Sequence, residues 1–213
     1  MNGGAGFFRN ELGIYTQQNG ECITLSILHS PFSILHSPFS ILHSPFSILH
    51  SPFSILFFYF STMTIFLGAD HRGFRLKEQL KATLKTDGYK IEDLGANEYN
   101  GNDDYPDYAR AVAQKVGEAP EENRGILICG SGSGVDIVAN KFKGVRSVLA
   151  MSPDHAYMAR HDDDVNVLAI ASDFTDEPAA RSMMRSFLTT PFAKLEDRYT
   201  RRLRKIEEIE SGK

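Results

Sequence analysis

The segment Arg124-Gly-Ile-Leu-Ile-Cys-Gly-Ser-Gly-Ser-Gly-Val-Asp-Ile-Val-Ala-Asn140 places one thiol, Cys129, directly before glycines at the alternate positions 130, 132 and 134. The apolar run from Gly125 to Ile128 reads as a short strand, and Val135, Val138, Ala139 and Phe142 mark one side of a following helix. A strand that turns through glycines into a helix leaves several backbone N–H groups unpaired around one point, at the positive end of the helix dipole. An anion is held at such a point, and a thiol beside it sits in a field that favours the thiolate. A base next to an anion cradle is the outline of a proton-transfer centre. A buried cysteine followed by an ordinary glycine-rich turn would look the same, since free cysteine is often just a small core residue. The motif is neither a dinucleotide fingerprint, whose last glycine is one residue further on, nor a P-loop, which needs a lysine after the final glycine.

Two further groups of residues bear chemistry. Asp70-His71 follows the short apolar strand Thr64-Ile-Phe-Leu-Gly-Ala, where an aspartate is either a helix cap or a functional carboxylate. Arg198 and Arg202 stand four apart, on one face of a helix, where two guanidinium forks can grip one phosphate. A run that also holds Arg201, Arg204 and Lys205 equally describes a solvated face.

The elements that position these residues alternate between the two periods. After Thr64 to Asp70, Leu76, Leu80 and Leu84 give an amphipathic helix from Phe74 that stops near Gly88. Lys90 to Gly95 reads as a second strand, and Pro106, Tyr108, Val112 and Val116 as a second helix. The thiol-bearing strand and its helix follow. Val145–Met151 reads as a fourth strand, Asp154–Asp162 as a short helix and Asn166–Ala171 as a fifth strand. A helix from about Pro178 to Leu188 and a charged one from about Lys194 end the chain. This alternation predicts an α/β protein with a five-stranded parallel sheet covered on both faces, a Rossmann-like three-layer sandwich with a C-terminal helix. In such sheets ligands sit outside the carboxyl ends of the strands, which would bring Asp70-His71 and Cys129 to one edge.

Composition sets the class. The chain has 213 residues, 42% of them hydrophobic, enough for one substantial core. Only Arg9, Glu11 and Glu21 are charged among the first 62 residues, which leaves 22 basic and 25 acidic groups in the remainder. That balance lacks the basic excess of a nucleic-acid or anionic-membrane binder. Two cysteines, Cys22 and Cys129, lie in segments of different character, so no disulfide framework or zinc cluster is readable, and a reducing, cytoplasmic setting fits.

Residues 1–62 differ from the rest. The first 25 or so show neither period nor the layout of a secretory signal. Ser-Ile-Leu-His-Ser-Pro-Phe then repeats four times from Ser26 to Phe53. A proline in every copy forbids the continuous helix that a seven-residue period suggests. The histidines at 29, 36, 43 and 50 are not spaced like close-set metal ligands, and Ile55–Phe60 is too short to span a bilayer. Residues 1–62 are therefore expected to be a largely disordered low-complexity extension, with the functional domain at 63–213.

From Met63 to about Glu210 the chain resembles the type B ribose-5-phosphate isomerases and the related galactose-6-phosphate and allose-6-phosphate isomerases. The resemblance rests on Gly68-Ala-Asp-His-Arg-Gly-Phe74, Asp104-Tyr-Pro-Asp107, Gly125-Ile-Leu-Ile-Cys-Gly-Ser-Gly-Ser-Gly134, Ala139-Asn-Lys141, Asn166-Val-Leu168 and the Arg198/Arg202 pair, in family order. It implies a Rossmann-like homodimer without metal or other cofactor, whose active sites are shared between subunits and act on a sugar phosphate. It implies aldose–ketose isomerisation, most simply of ribose 5-phosphate to ribulose 5-phosphate through a cis-enediolate. Cys129 would be the acid/base, Ser131 a proton relay, and Asp70 and His71 the residues that bind or open the sugar ring. The N–H groups of Gly130, Gly132, Ser133 and Gly134 would hold the enediolate oxygen, with Asn140, His161, Asp162, Arg198 and Arg202 as further substrate contacts.

Two positions depart from the family pattern. Asp162 stands where a ring-opening histidine is usual, with His161 one residue earlier, and Asp173 stands where a phosphate-binding arginine is often found. The substrate would then be another sugar phosphate, a hexose phosphate among them, or be bound differently. A non-catalytic sugar-phosphate-binding homologue is the alternative from another class. A thiol redox protein is disfavoured, because Cys129 lacks a Cys-x-x-Cys partner.

Overall fold

Alternating side chains on parallel strands divide the interior of the chain into two apolar layers. The computed structural model describes residues 7–10, 13–18, 21–22 and 63–212. The larger unit carries strands β4 (Thr64–Ala69), β5 (Lys90–Asp93), β6 (Arg124–Cys129), β7 (Ser147–Leu149) and β8 (Val167–Ala171). They form a parallel sheet in the order β5-β4-β6-β8-β7. Its helices are α1 (Phe74–Thr86), α2 (Tyr105–Glu118), α3 (Ser133–Ala139), α4 (Pro153–Asp163), α5 (Glu177–Thr189) and α6 (Asp197–Glu210). The predicted α/β sandwich with a parallel five-stranded sheet is thus the fold.

The period of two along the strands fixes which helix covers which face. Ile65, Leu67, Ala69, Ile126, Ile128, Leu168 and Ile170 join one buried cluster with Leu80 of α1, Ala156 of α4 and Phe187 of α5. Phe66, Leu127, Cys129, Val167 and Ala169 point the other way, into a cluster with Val112 of α2 and Val135 of α3. Both faces are covered, so the central strands read as continuous apolar runs.

Helices also begin where the sequence places their caps. The Ser152 hydroxyl accepts the His155 N–H at 3.1 Å, and Asp176 accepts the Ala179 N–H at 2.9 Å. Pro153 and Pro178 occupy the first turns of α4 and α5, where a missing N–H is harmless.

Adjacent strands β4 and β6 send their helices to opposite faces, α1 to one and α3 to the other. That reversal opens a crevice at the carboxyl ends of the two strands, the usual ligand position in an open α/β sheet. Helix α6 contacts α4 near its start, and near its end Glu210 accepts the Gly144 N–H at 3.2 Å. Gly144 and the C-terminal end of α4 both lie beside the starts of strands, so α6 runs along the amino edge of the sheet.

The smaller unit is a separate antiparallel sheet of β1 (Phe7–Asn10), β2 (Gly13–Gln18) and β3 (Glu21–Cys22). The sequence shows no strand periodicity there; the signal overlooked is the Asn19-Gly20 pair between two short runs, a strong hairpin dipeptide. The proline-bearing repeat, its four histidines and the Ile55–Phe60 run lie outside the described residues. No helix among those described is long and apolar enough to cross a membrane.

Candidate active site

Parallel register brings the thiol and the aspartate together. Gly68 pairs with Leu127 and Ala69 with Ile128, so Asp70 and Cys129 stand opposite each other one step beyond. They also share a face: a carbon added to Gly68 would meet Val112 of α2, and Cys129 packs in the α2/α3 cluster. Cys129 is 4% exposed, and its sulfur makes no hydrogen bond to another described residue. It is a small core residue at the end of β6, immediately before the glycine turn.

Beyond Cys129 the chain turns through Gly132, whose φ of +73° is the left-handed conformation that glycine adopts without strain. The turn is tight, since a side-chain carbon on Gly132 would stand 2.3 Å from Leu149. The backbone N–H groups of Ser131, Gly132, Ser133 and Gly134 donate to no other described residue. They are the free donors that the first turn of a helix leaves. Helix α3 has only seven residues, so these local N–H groups carry the anion-holding capacity more than a long helix dipole does. The Tyr105 ring, at the start of α2, lies against Gly134 and walls the loop. Ser131 is exposed at the loop's mouth.

Asp70 caps the following turn: its Oδ1 accepts the N–H groups of Arg72 and Gly73, each at 3.0 Å. The capping reading of this residue is correct as geometry, and it fixes where His71 points. His71 is held by a residue that the motifs did not single out. Asp103 Oδ1 accepts the His71 backbone N–H at 2.9 Å and stands 2.6 Å from its ring Nδ1. Burial alone would raise the Asp103 carboxyl, but the two His71 bonds and the Tyr108 hydroxyl outweigh it and lower it below the usual range. The carboxylate is thus the acceptor, Nδ1 carries the proton, and Nε2 is left for a ligand. Asp103 sits in the polar run Asn100 to Asp104, whose similar residues gave no way to tell which one faces the histidine.

The loop that bears Asp103 is anchored by a buried cation. Lys77 is fully buried, and its Nζ donates to Asp93 at 2.8 and 2.7 Å and to the Ala96 carbonyl at 2.9 Å. A buried charge persists only when its bonds are satisfied in this way.

The remaining predicted residues lie elsewhere in the same chain. Helix α4 begins at the carboxyl edge and ends at the amino edge, because it returns the chain to the start of β8. His161 and Asp162, at its end, therefore stand a full strand length from Cys129, on the order of 20 Å for a six-residue strand. They pair with each other, Nδ1 to Oδ1 at 2.7 Å. The His161 bond, with the Tyr199 hydroxyl and Arg198, holds the Asp162 carboxyl low against the opposing effect of burial. His161 stacks on Tyr157 at 5.3 Å and meets Tyr199 edge-on at 6.0 Å. Arg198 and Arg202 both lie over the Tyr199 ring, at 4.4 and 5.9 Å, so they form one exposed basic cluster. Asn140 does not reach the loop in this chain. It caps the far end of α3, where its amide donates to the Ser147 carbonyl at 3.1 Å and accepts the Ser147 N–H at 2.8 Å.

Asp173, at the position where the family pattern has an arginine, has a partner. Its charge is not an uncompensated anion in the site, because it is paired with Arg72.

The sequence profile of the ribose/galactose isomerases matches residues 65–206. The ribose-5-phosphate isomerase B of Mycobacterium tuberculosis is 36% identical over 148 residues, which cover 70% of this chain and 90% of that protein. The crystal structure of the Mycoplasma genitalium ribose-5-phosphate isomerase B with bound ribulose-5-phosphate superposes with a TM-score of 0.69 at 39% identity, covering 71% of this chain and 99% of that one. That of the Thermotoga maritima ribose 5-phosphate isomerase superposes with a TM-score of 0.63 at 38% identity, covering 68% and 97%. The thiol-and-glycine loop, the register that sets Asp70 against Cys129 and these relationships agree, and the chain belongs to the ribose/galactose isomerase family.

Proposed function

We propose that this chain interconverts ribose 5-phosphate and ribulose 5-phosphate. The observation that carries the reading is the placement of Cys129 opposite Asp70, beside N–H groups that donate to no other described residue. The relative crystallised with ribulose-5-phosphate supports the choice of sugar.

In the open-chain aldose, Cys129 as thiolate takes the proton from C2, and the electron pair moves into a C1–C2 double bond. The negative charge appears on the former carbonyl oxygen, where the N–H groups of residues 130–134 face it; one such donor contributes about 3 kcal/mol to a transition state. Ser131 relays a proton between the two oxygens. Cys129 then returns its proton to C1, and the ketone forms at C2. His71, with Nε2 free and Nδ1 held by Asp103, assists ring opening by moving a proton between the ring oxygen and the anomeric hydroxyl.

Sheet geometry supports a shared site. Cys129 and His71 lie at the carboxyl edge, whereas His161, Asp162, Arg198 and Arg202 lie at the amino edge, so one chain cannot bring them to a single sugar. A second copy of the chain supplies them: Arg198 and Arg202 grip the phosphate, and the Tyr157–His161–Tyr199 stack shapes the wall. Exposed Ile137, Met151, Tyr157 and Met158 give that copy an apolar surface to cover. The enzyme works in the cytoplasm as a homodimer, and residues 1–62 take no part in the chemistry.

The test is a panel of phosphorylated aldoses, ribose, allose and galactose derivatives among them, followed by detection of ketose and of solvent proton exchange at C2. Ribose 5-phosphate is expected to be the preferred substrate. Thermal stabilisation by the sugar phosphates without exchange at C2 would select the non-catalytic reading instead.

A further inference from the structure

Arg72 lies on the turn between β4 and α1, and its guanidinium rests flat against Gly130. A side-chain carbon built on Gly130 would stand 2.4 Å from the Arg72 Cζ and Nε and 2.8 Å from Nη1. Position 130 is therefore open to the guanidinium only because glycine occupies it. The loop after β8 holds Arg72 twice. Asp173 accepts from Nη2, and the Ser172 hydroxyl stands 3.1 Å from both the Arg72 and the Cys129 carbonyl oxygens.

An exposed ion pair alone stabilises a protein little, typically by less than about 1 kcal/mol. Here the pair does something else: it sets a cation beside the N–H groups after Cys129 that donate to no other described residue. Arg72 is 55% exposed, and Asp173 engages only its Nη2. Because a guanidinium presents several N–H donors in a planar fork, Nε and Nη1 remain able to donate to a second anion.

We propose that Arg72 is a substrate-binding residue, held over Gly130 by Asp173 and Ser172, and that it donates to the phosphate group of the sugar phosphate. This rests on the isomerase reading of the same site and adds a binding residue to it. Asp173 then serves as the tether of a cation on the neighbouring loop.

The experiment compares the full chain with Arg72→Ala and Arg72→Lys, measuring kcat and KM for ribose 5-phosphate and inhibition by inorganic phosphate. Arg72→Ala is expected to raise KM and the phosphate inhibition constant together, by about 10- to 100-fold, with kcat changed less than about threefold. Arg72→Lys keeps the charge without the fork and should fall between. Should the alanine variant fail to fold, the lysine variant carries the test with an expected rise of about threefold or more. Unchanged KM and phosphate inhibition in a folded variant, with only the thermal midpoint lowered, would overturn the proposal and leave Arg72 as a structural latch. Inactivity of the unsubstituted chain on every sugar phosphate would instead count against the isomerase reading, and calorimetric titration with inorganic phosphate would still decide for or against Arg72.

Discussion

His71 and Asp103, 32 positions apart, are joined twice through one carboxylate oxygen, which takes both the backbone N–H and the ring Nδ1 of the histidine. Two consequences can be measured. Asp103→Ala frees the ring and is expected to lower kcat about 10- to 100-fold, as loss of an oriented acid/base does. The second is a pH effect with a definite sign. The folded Asp103 carboxyl lies below its unfolded value of roughly 3.9, so its stabilisation is present above that pH and is lost as pH falls through the lower folded value. The gap in thermal midpoint between the wild-type chain and Asp103→Ala should hold steady from neutrality to about pH 5 and close below about pH 4. A gap that widens in acid would refute this account of the carboxylate.

Two glycines of the same loop should respond in opposite ways. Gly132 has a positive φ and faces Leu149 and the Ala171 backbone, so Gly132→Ala should cost about 2 kcal/mol or more in stability. The atoms nearest to a side-chain carbon at Gly130 belong to the far end of the Arg72 side chain, which can swing away. Gly130→Ala should leave unfolding within about 1 kcal/mol of wild type while raising KM. Denaturant melts and steady-state kinetics of both variants separate the two effects.

If each site draws on both edges of the sheet, defects in different edges complement one another. Cys129→Ala chains and Arg198→Ala/Arg202→Ala chains should each be inactive alone. Mixed in equal amounts and allowed to exchange partners, they should regain about a quarter of wild-type activity, because half of the dimers carry one intact site of two. No recovery, with exchange verified by mass, would place both edges of the site in one chain.

Met63 is 5% exposed and belongs to the first apolar cluster, so it is already a core residue. A chain that starts at Met63 is expected to keep kcat and KM within about twofold, since no proposed site residue precedes Asp70. A large loss on truncation would assign residues 1–62 a part in the function.

Much of this was written locally in the sequence. The strands showed themselves as runs such as Ile126-Leu-Ile128, and the helices as Leu76, Leu80 and Leu84, because burial on two sheet faces and on one helix stripe imposes those periods. The ends of elements were less legible. Val145–Met151 reads as a strand, and its ladder is shorter, Ser147–Leu149, although the Arg146 carbonyl accepts the Val167 N–H and the Ala150 N–H donates to the Ala169 carbonyl, each at 3.2 Å. Lys90–Gly95 likewise pairs only to Asp93, although Leu94 still donates to the Leu67 carbonyl at 2.8 Å.

The site was legible in its residue types and not in its geometry. Asp70, Cys129 and the glycines could be placed on one edge from the parallel topology. The same topology sends the ends of α3 and α4 to the opposite edge, which is why Asn140, His161 and Asp162 do not reach the thiol of their own chain. Asp103 and Arg72 act through contacts 32 and 101 positions away along the chain, and no local period records those.

The most direct test of the central claim is turnover of ribose 5-phosphate by Cys129→Ala. Replacing one small buried side chain by another should cost only about 1–2 kcal/mol in stability, so the fold survives the substitution. With Cys129 as the group that carries the proton between C2 and C1, kcat should fall by about a thousandfold or more, and exchange of the C2 proton with solvent should fall with it. A folded Cys129→Ala chain that isomerises ribose 5-phosphate at the wild-type rate would contradict the account.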